Sequence, residues 1–155
     1  MGALMNRPWQ SWIESSPQRL VLLDATIGGA DGFAPLLVGR ENVVQPPSVD
    51  AYSGRVFLLA DRFCVSACED FVMPFKTTGR GTLIGELTQG SSGNPRRVDL
   101  GNGMRVSIGA IRYRFPDGSL FEGVGIAPDV PIERRIADIA ANRDVVLERA
   151  KQLAQ

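Results

Sequence analysis

Apolar positions along the chain fall into short blocks separated by glycine, proline and polar clusters, and the blocks are of two kinds. Arg19-Leu-Val-Leu-Leu-Asp24, Arg55-Val-Phe-Leu-Leu-Ala60 and Gly81-Thr-Leu-Ile-Gly85 are nearly unbroken aliphatic runs. Such runs suit strands buried on both faces, as in parallel sheets, better than half-exposed strands, which alternate. The segment Ser66-Ala-Cys-Glu-Asp-Phe-Val-Met73 instead spaces its apolar residues for a helix, which Pro74 is expected to end or kink. A shorter helix is expected over Phe33–Val38, after the turn Thr26–Gly32, and a loop over Glu41–Ser53 around Pro46 and Pro47.

Alternation returns in Val98–Leu100 and Met104–Phe115, which flank Gly101-Asn-Gly103 and predict a β-hairpin. Pro116-Asp-Gly118 marks a further turn. Asp144–Leu153 reads as an amphipathic closing helix, with Val145, Val146, Leu147, Ala150 and Leu153 available for packing. The opening residues 1–18 mix Pro, Trp, Ser and Gln without periodicity, the pattern of a short helix or a mobile lead-in. With no internal repeat and no dividing linker, the rest of the chain, 19–155, reads as one mixed α/β layer structure.

Composition narrows the classes of partner. A length of 155 residues with 44% apolar and 22% charged residues belongs to a folding domain rather than a disordered chain. Lys plus Arg balances Asp plus Glu at 17 each, so no global field favours nucleic acid, and Arg96–Arg97 and Arg112/Arg114 are local solvated spots. No run approaches the roughly 20 apolar residues that span a bilayer. Met1–Arg19 lacks the basic and apolar regions of a secretory signal, so no signal is expected in this chain. Cys64 and Cys68 stand four apart; on a helix a disulfide between them would strain the required geometry, so small buried thiols are expected. With no His in the chain, neither a metal site nor a cofactor is expected.

Ser66 is the residue with chemical potential. At the start of a helix after a buried strand, a serine sits among unpaired first-turn N–H groups, where the Ala67 N–H can stabilise an oxyanion. Local sequence by itself favours a helix cap at this position, with Glu69 completing the Ser-x-x-Glu capping box.

The order of motifs bears on that choice. Leu22-Leu-Asp24 followed by Gly28 and Gly29, Tyr52–Ala60 with Val65-Ser-Ala-Cys-Glu69, Ile84-Gly-Glu-Leu-Thr-Gln-Gly90, and Pro116-Asp-Gly118 with Glu122-Gly-Val-Gly-Ile-Ala-Pro-Asp129 follow one another along the chain. Each is short, but in this order they resemble the tail-specific, or S41-like, serine peptidases. The resemblance implies a ClpP/crotonase-like spiral of short strands with flanking helices. It implies Ser66 as nucleophile, Ala67 with Gly28 or Gly29 as oxyanion hole, and Glu122 as the late carboxylate that helps hold a catalytic His. Its partner would be a peptide or unfolded protein segment, and relatives of this fold often assemble, so a homo-oligomer is compatible with it. Relatives are often extracytoplasmic; the chain itself leaves the compartment open.

Departures touch the chemistry more than the fold. Thr26 stands where the resemblance calls for Arg, and Ser91 where one branch carries the lysine that deprotonates the serine. The other branch uses an upstream His, which this chain lacks. Lys76 would begin about 15 Å along a helix opening at Ser66, at roughly 1.5 Å per residue, beyond the roughly 3 Å reach of a general base. Lys151 lies in the closing helix. Glu69 and Asp70, read as exposed carboxylates, are poor bases for a hydroxyl. Two readings follow: a partial peptidase core that receives its base, lid and PDZ-like region from elsewhere, or a peptide-binding or assembly module that keeps the fold without the chemistry.

Overall fold

The computed structural model describes residues 2–15 and 44–155. The strand expected over Arg19–Asp24, the turn Thr26–Gly32 and the helix Phe33–Val38, with Gly28 and Gly29, lie outside the described residues.

The centre is a parallel sheet of β4 (Phe57–Ala60), β5 (Thr82–Gly85) and β9 (Val130–Pro131), in the order β4-β5-β9. Helix α1 (Ala67–Thr78) connects β4 to β5. Successive strand side chains point to opposite faces, and a helix packs on each face, although Leu59 of β4 stays exposed. Leu58 and Leu83 join Val72, Met73 and Phe75 of α1 in one cluster. Ile84 joins Val146 and Ala150 of helix α3 (Val145–Ala154) in another, with Phe57 packed against it. This two-sided packing is the physical reason for the unbroken aliphatic runs in β4 and β5. Leu147, placed on the packing face from sequence, is exposed.

Helix α1 does not stop at Pro74; it runs on to Thr78. Proline removes one backbone donor and usually costs about 3 kcal/mol inside a helix, but Pro74 is fully buried among core residues and gains packing there. Gly79 closes the helix in the left-handed conformation (φ 62°), with its N–H donating to the Lys76 carbonyl and the Arg80 N–H to the Phe75 carbonyl.

Of the opening segment, residues 2–15 are built into the fold. After a 3₁₀ turn at Gly2–Leu4 it supplies β1 (Trp9–Gln10), antiparallel to β3 (Val44–Gln45), and β2 (Ile13–Ser15), antiparallel to β8 (Arg112–Arg114). Met5 and Trp12 are core residues. Trp12 lies 4.2 Å from Phe121 between ring centroids and 5.4 Å from Phe115, and its indole N–H donates to Asp70 Oδ1 at 2.7 Å. The buried Arg80 guanidinium fastens the same segment, donating to the carbonyls of Leu4 (2.8 Å), Gly54 (3.0 Å) and Tyr52.

The expected hairpin forms from β6 (Arg96–Gly101) and β7 (Met104–Ile108), antiparallel with a bulge between Asp99 and Gly101. The short helix α2 (Ile136–Ala140) precedes α3, whose start is capped by Asp144 accepting from the Leu147 N–H at 2.9 Å. No helix among the described residues is long and apolar enough to cross a membrane.

Asp129 ties α1 to the sheet: its carboxylate pairs with Lys76 and accepts from the Leu83 N–H at 2.8 Å. Burial works against its ionisation, yet the Lys76 hydrogen bond, the Leu83 N–H and the Lys76 charge outweigh that and hold its pKa below the ordinary value. A carboxyl depressed on folding contributes stability that is complete above its unfolded pKa, about 4, and is lost as pH falls through the folded value. Unfolding followed across that acid range should therefore show a steeper loss of stability in the wild type than in Asp129→Asn. Parallel profiles would remove Asp129 from the acid response.

Candidate active site

Ser66 follows β4 through a turn in which the Cys64 N–H donates to the Asp61 carbonyl at 2.9 Å, and it stands exposed at the N-terminus of α1. Its backbone adopts φ 55° and ψ −118°, a conformation that costs a non-glycine residue on the order of 1–3 kcal/mol and persists only where the surroundings enforce it. The surroundings are specific. The Ser66 N–H donates to the Ser91 carbonyl at 3.0 Å and shares its hydrogen with Glu69 Oε2 at 3.2 Å. Ser66 and Glu69 take capping-box positions, but the hydroxyl makes no capping hydrogen bond to the helix. The cap rests on Glu69, and the hydroxyl is left at the surface. The Ala67 N–H, at the first helical position, makes no hydrogen bond among the described residues.

Glu69 is fully buried, contrary to its reading as an exposed carboxylate. Its Oε1 accepts from the Thr88 hydroxyl at 2.6 Å and the Gly90 N–H at 2.7 Å; its Oε2 accepts from the Ser91 N–H at 3.1 Å besides Ser66. An ionised carboxylate accepts at both oxygens and donates at neither, so this donor set matches its charged form. The Thr88 hydroxyl also accepts from the Ile126 N–H at 2.8 Å, carrying the network into the loop after Phe121.

That loop and the Thr88–Gly90 turn meet backbone to backbone. A Cβ on Gly90 (φ 71°) would lie 2.5 Å from the Gly125 nitrogen, and one on Gly125 (φ 80°) 2.4 Å from the Thr88 oxygen. Only glycine allows both the approach and the dihedral angle. The contact is closed by the Gly123 N–H donating to the Gly90 carbonyl at 2.8 Å.

Glu122 is carried by this loop between the buried Phe121 and Gly123. Its Oε1 is buried without a hydrogen-bond partner among the described residues. Glu122 lines a cavity of about 600 Å³ together with Ser15, Ser91, Ser92, Ile111 and Arg112. Ser66 does not line that cavity; Ser91, hydrogen-bonded to Ser66, links the two. Tyr113 on β8 is no base at neutral pH: burial first, then the charges of Glu14, Asp70 and Glu122, raise its pKa above the ordinary phenol value.

The sequence model of peptidase family S41 matches residues 26–132 of the chain. The chain belongs to this family. Over 89 residues it is 32% identical to a chloroplastic C-terminal processing peptidase of Tetradesmus obliquus, a stretch that is 57% of this chain and 19% of that protein. Its fold is that of solved S41-like structures. A putative peptidase from Parabacteroides merdae superposes with a TM-score of 0.75 at 23% identity, over 99% of this chain and 45% of that one. A mature CPAF complexed with lactacystin superposes with a TM-score of 0.73 at 14% identity, over 99% and 39%. The chain thus spans less than half the length of these relatives.

Among the residues expected at an S41 site, the structure brings Ser66, Ala67 and Ser91 together and puts Glu122 one loop away, beyond Gly90–Ser91. Gly28 and Gly29 lie outside the described residues. Lys76 is engaged with Asp129 at the far end of α1. The expectation of two thiols is corrected: Cys64 and Cys68 form a disulfide, with Cα atoms 5.3 Å apart. The spacing of four is not a helical spacing here, because α1 begins at Ala67 and the positive φ of Ser66 turns the chain between the two cysteines. Sequence reasoning also missed Glu69 and Thr88 as the network that holds the serine turn; the signal was the acidic third position of the capping box together with the Thr of Gly-Glu-x-Thr-x-Gly.

Glu69→Gln should turn one acceptor oxygen into a donor facing other donors. Buried hydrogen bonds to a charged group broken in this way cost about 2–4 kcal/mol, measurable by urea unfolding, and Thr88→Val should lose less. A change within about 0.5 kcal/mol for Glu69→Gln, the range of ordinary surface substitutions, would mean the network does not hold the turn.

Proposed function

We propose that this chain carries the nucleophile-bearing part of an S41 serine peptidase, in a ClpP/crotonase-like spiral, with residues 19–155 as the catalytic core. The lid, the PDZ-like region and the His would come from an upstream segment or a partner chain, and the substrate would be a peptide or unfolded protein segment. The observation that carries this reading is Ser66 itself: exposed at a helix start, on an enforced positive-φ turn, beside an Ala67 N–H that makes no hydrogen bond among the described residues.

In this reading the Ser66 Oγ attacks a peptide carbonyl carbon while its proton passes to the supplied imidazole. The Ala67 N–H and a backbone N–H of Gly28 or Gly29 bind the resulting oxyanion. Collapse breaks the C–N bond, the imidazolium returns its proton to the leaving amine, and water then hydrolyses the acyl-enzyme. Glu122 would orient the imidazole. Its buried Oε1 has no donor among the described residues; leaving such an oxygen without one costs about 1–3 kcal/mol, which the N–H of an incoming imidazole would recover.

Because the chain has no His, the isolated protein should react with a fluorophosphonate only slowly. Free imidazole should accelerate modification of Ser66 by at least about tenfold, a fraction of what a positioned base provides. Ser66→Ala should abolish the reaction, and Glu122→Gln should blunt the imidazole effect. A folded protein left unmodified at Ser66 with and without imidazole would sink the peptidase reading.

The absence of His and the occurrence of Ser91 at the lysine position favour a second reading, a binding or assembly module that captures an extended peptide by strand addition. For that reading, titration with peptides of varied sequence should move the amide resonances of Gly28, Gly29 and Ala67 in NMR spectra. Unmoved resonances there would count against capture at this groove.

A further inference from the structure

We propose that the Cys64–Cys68 disulfide is a positioning element for Ser66, and that a dithiol reductant releases the serine turn by opening it. The bridge joins residues four apart and encloses Val65, Ser66 and Ala67. It therefore fixes both ends of the short segment that holds Ser66 at φ 55°. One end is also anchored from outside, since the Gln89 N–H donates to the Cys64 carbonyl at 3.0 Å. The other end is the second residue of α1. An N-cap residue ordinarily takes extended angles. With the bridge open, Ser66 can relax toward them, which turns its N–H away from the Ser91 carbonyl and moves the hydroxyl relative to Ala67.

The bond is open to exchange. Cys68 is exposed, whereas Cys64 is buried, and both line a surface cavity of about 320 Å³ with Phe63 and Arg134. A reductant thiolate attacks the Cys68 Sγ, the S–S bond breaks, and Cys64 leaves as a thiolate that takes up a proton. The second thiol of the reductant then displaces the Cys68 thiol and closes the reductant's own disulfide, so two electrons and two protons have passed to the cysteine pair. A disulfide oxidant reverses both steps.

The consequence for catalysis rests on Ser66 as the reacting group, but the clamp is read independently by amide hydrogen exchange on the 155-residue chain. Reduction, and separately the double variant Cys64→Ala/Cys68→Ala, should raise exchange at Ser66, Gly90 and Ser91 by roughly tenfold or more, the mark of local opening. Leu83 and Ile84 in β5 should stay protected, and reoxidation should restore the reduced wild type. Imidazole-assisted fluorophosphonate labelling of Ser66 should slow in parallel. Unchanged exchange at Ser66 and Ser91, a rise spread over β5 as well, or two free thiols in the air-oxidised protein by mass spectrometry would each overturn the proposal. If Ser66 labels in neither redox state, the peptidase reading fails, and the exchange pattern still decides the clamp.

Discussion

The Glu69 carboxylate is the constraint on which the site depends. Burying an ion with no counterion among the described residues requires hydrogen bonds to replace its lost water, and here four donors do so: the Thr88 hydroxyl and the N–H groups of Ser66, Gly90 and Ser91. These donors come from the helix start and from the turn after β5. Their need for one acceptor fixes the turn against the helix, and the Thr88 hydroxyl passes the constraint to Ile126. The Gly90 and Gly125 backbones can then meet closely enough to set Glu122 beside the cavity. Removing the charge from Glu69 would loosen three segments at once, although none of them is adjacent to another in sequence.

The parts of the fold legible in the sequence were those governed by local chemistry. β4 and β5 were visible as unbroken aliphatic runs because a helix packs on each face of their sheet; α1 and α3 showed the helical period; Gly101-Asn-Gly103 marked the hairpin. The errors arose where a distant partner decides the outcome. Pro74 looks like a helix stop until its ring is seen in the core, and the opening residues look unstructured until Arg80 collects the carbonyls of Leu4, Tyr52 and Gly54. Glu69 occupies the third position of a capping box, a pattern common on solvated helix ends. Only the Gly90 turn, some twenty residues on, makes it a buried hub.

The candidate site was legible in the same uneven way. Motif order pointed to Ser66, Ala67 and Glu122, because the glycine-rich turns that carry them are recognisable by short spacings. The disulfide was not legible, since a spacing of four suggests a helical turn. That inference fails when the residue between the cysteines has a positive φ, and positive φ at a serine is not encoded by the serine itself. It is imposed by Glu69, by the Ser91 carbonyl and by the bridge.

The two carboxylates of the site divide its work by how well each is satisfied. Glu69 is fully supplied with donors and is therefore a fixed structural anion; another ligand would have to displace a bond it already makes. Glu122 has a buried oxygen with none among the described residues, on the wall of an open cavity, and is therefore the group there with capacity to bind a donor. Under the proposed function, the first carboxylate holds the serine turn, and the second, without a partner among the described residues, would take a donor from elsewhere. On the proposed peptidase reading, this asymmetry is the feature that favours a supplied base over a site in decay. In a site kept only for its shape, a buried oxygen without a partner costs stability and gives no binding in return.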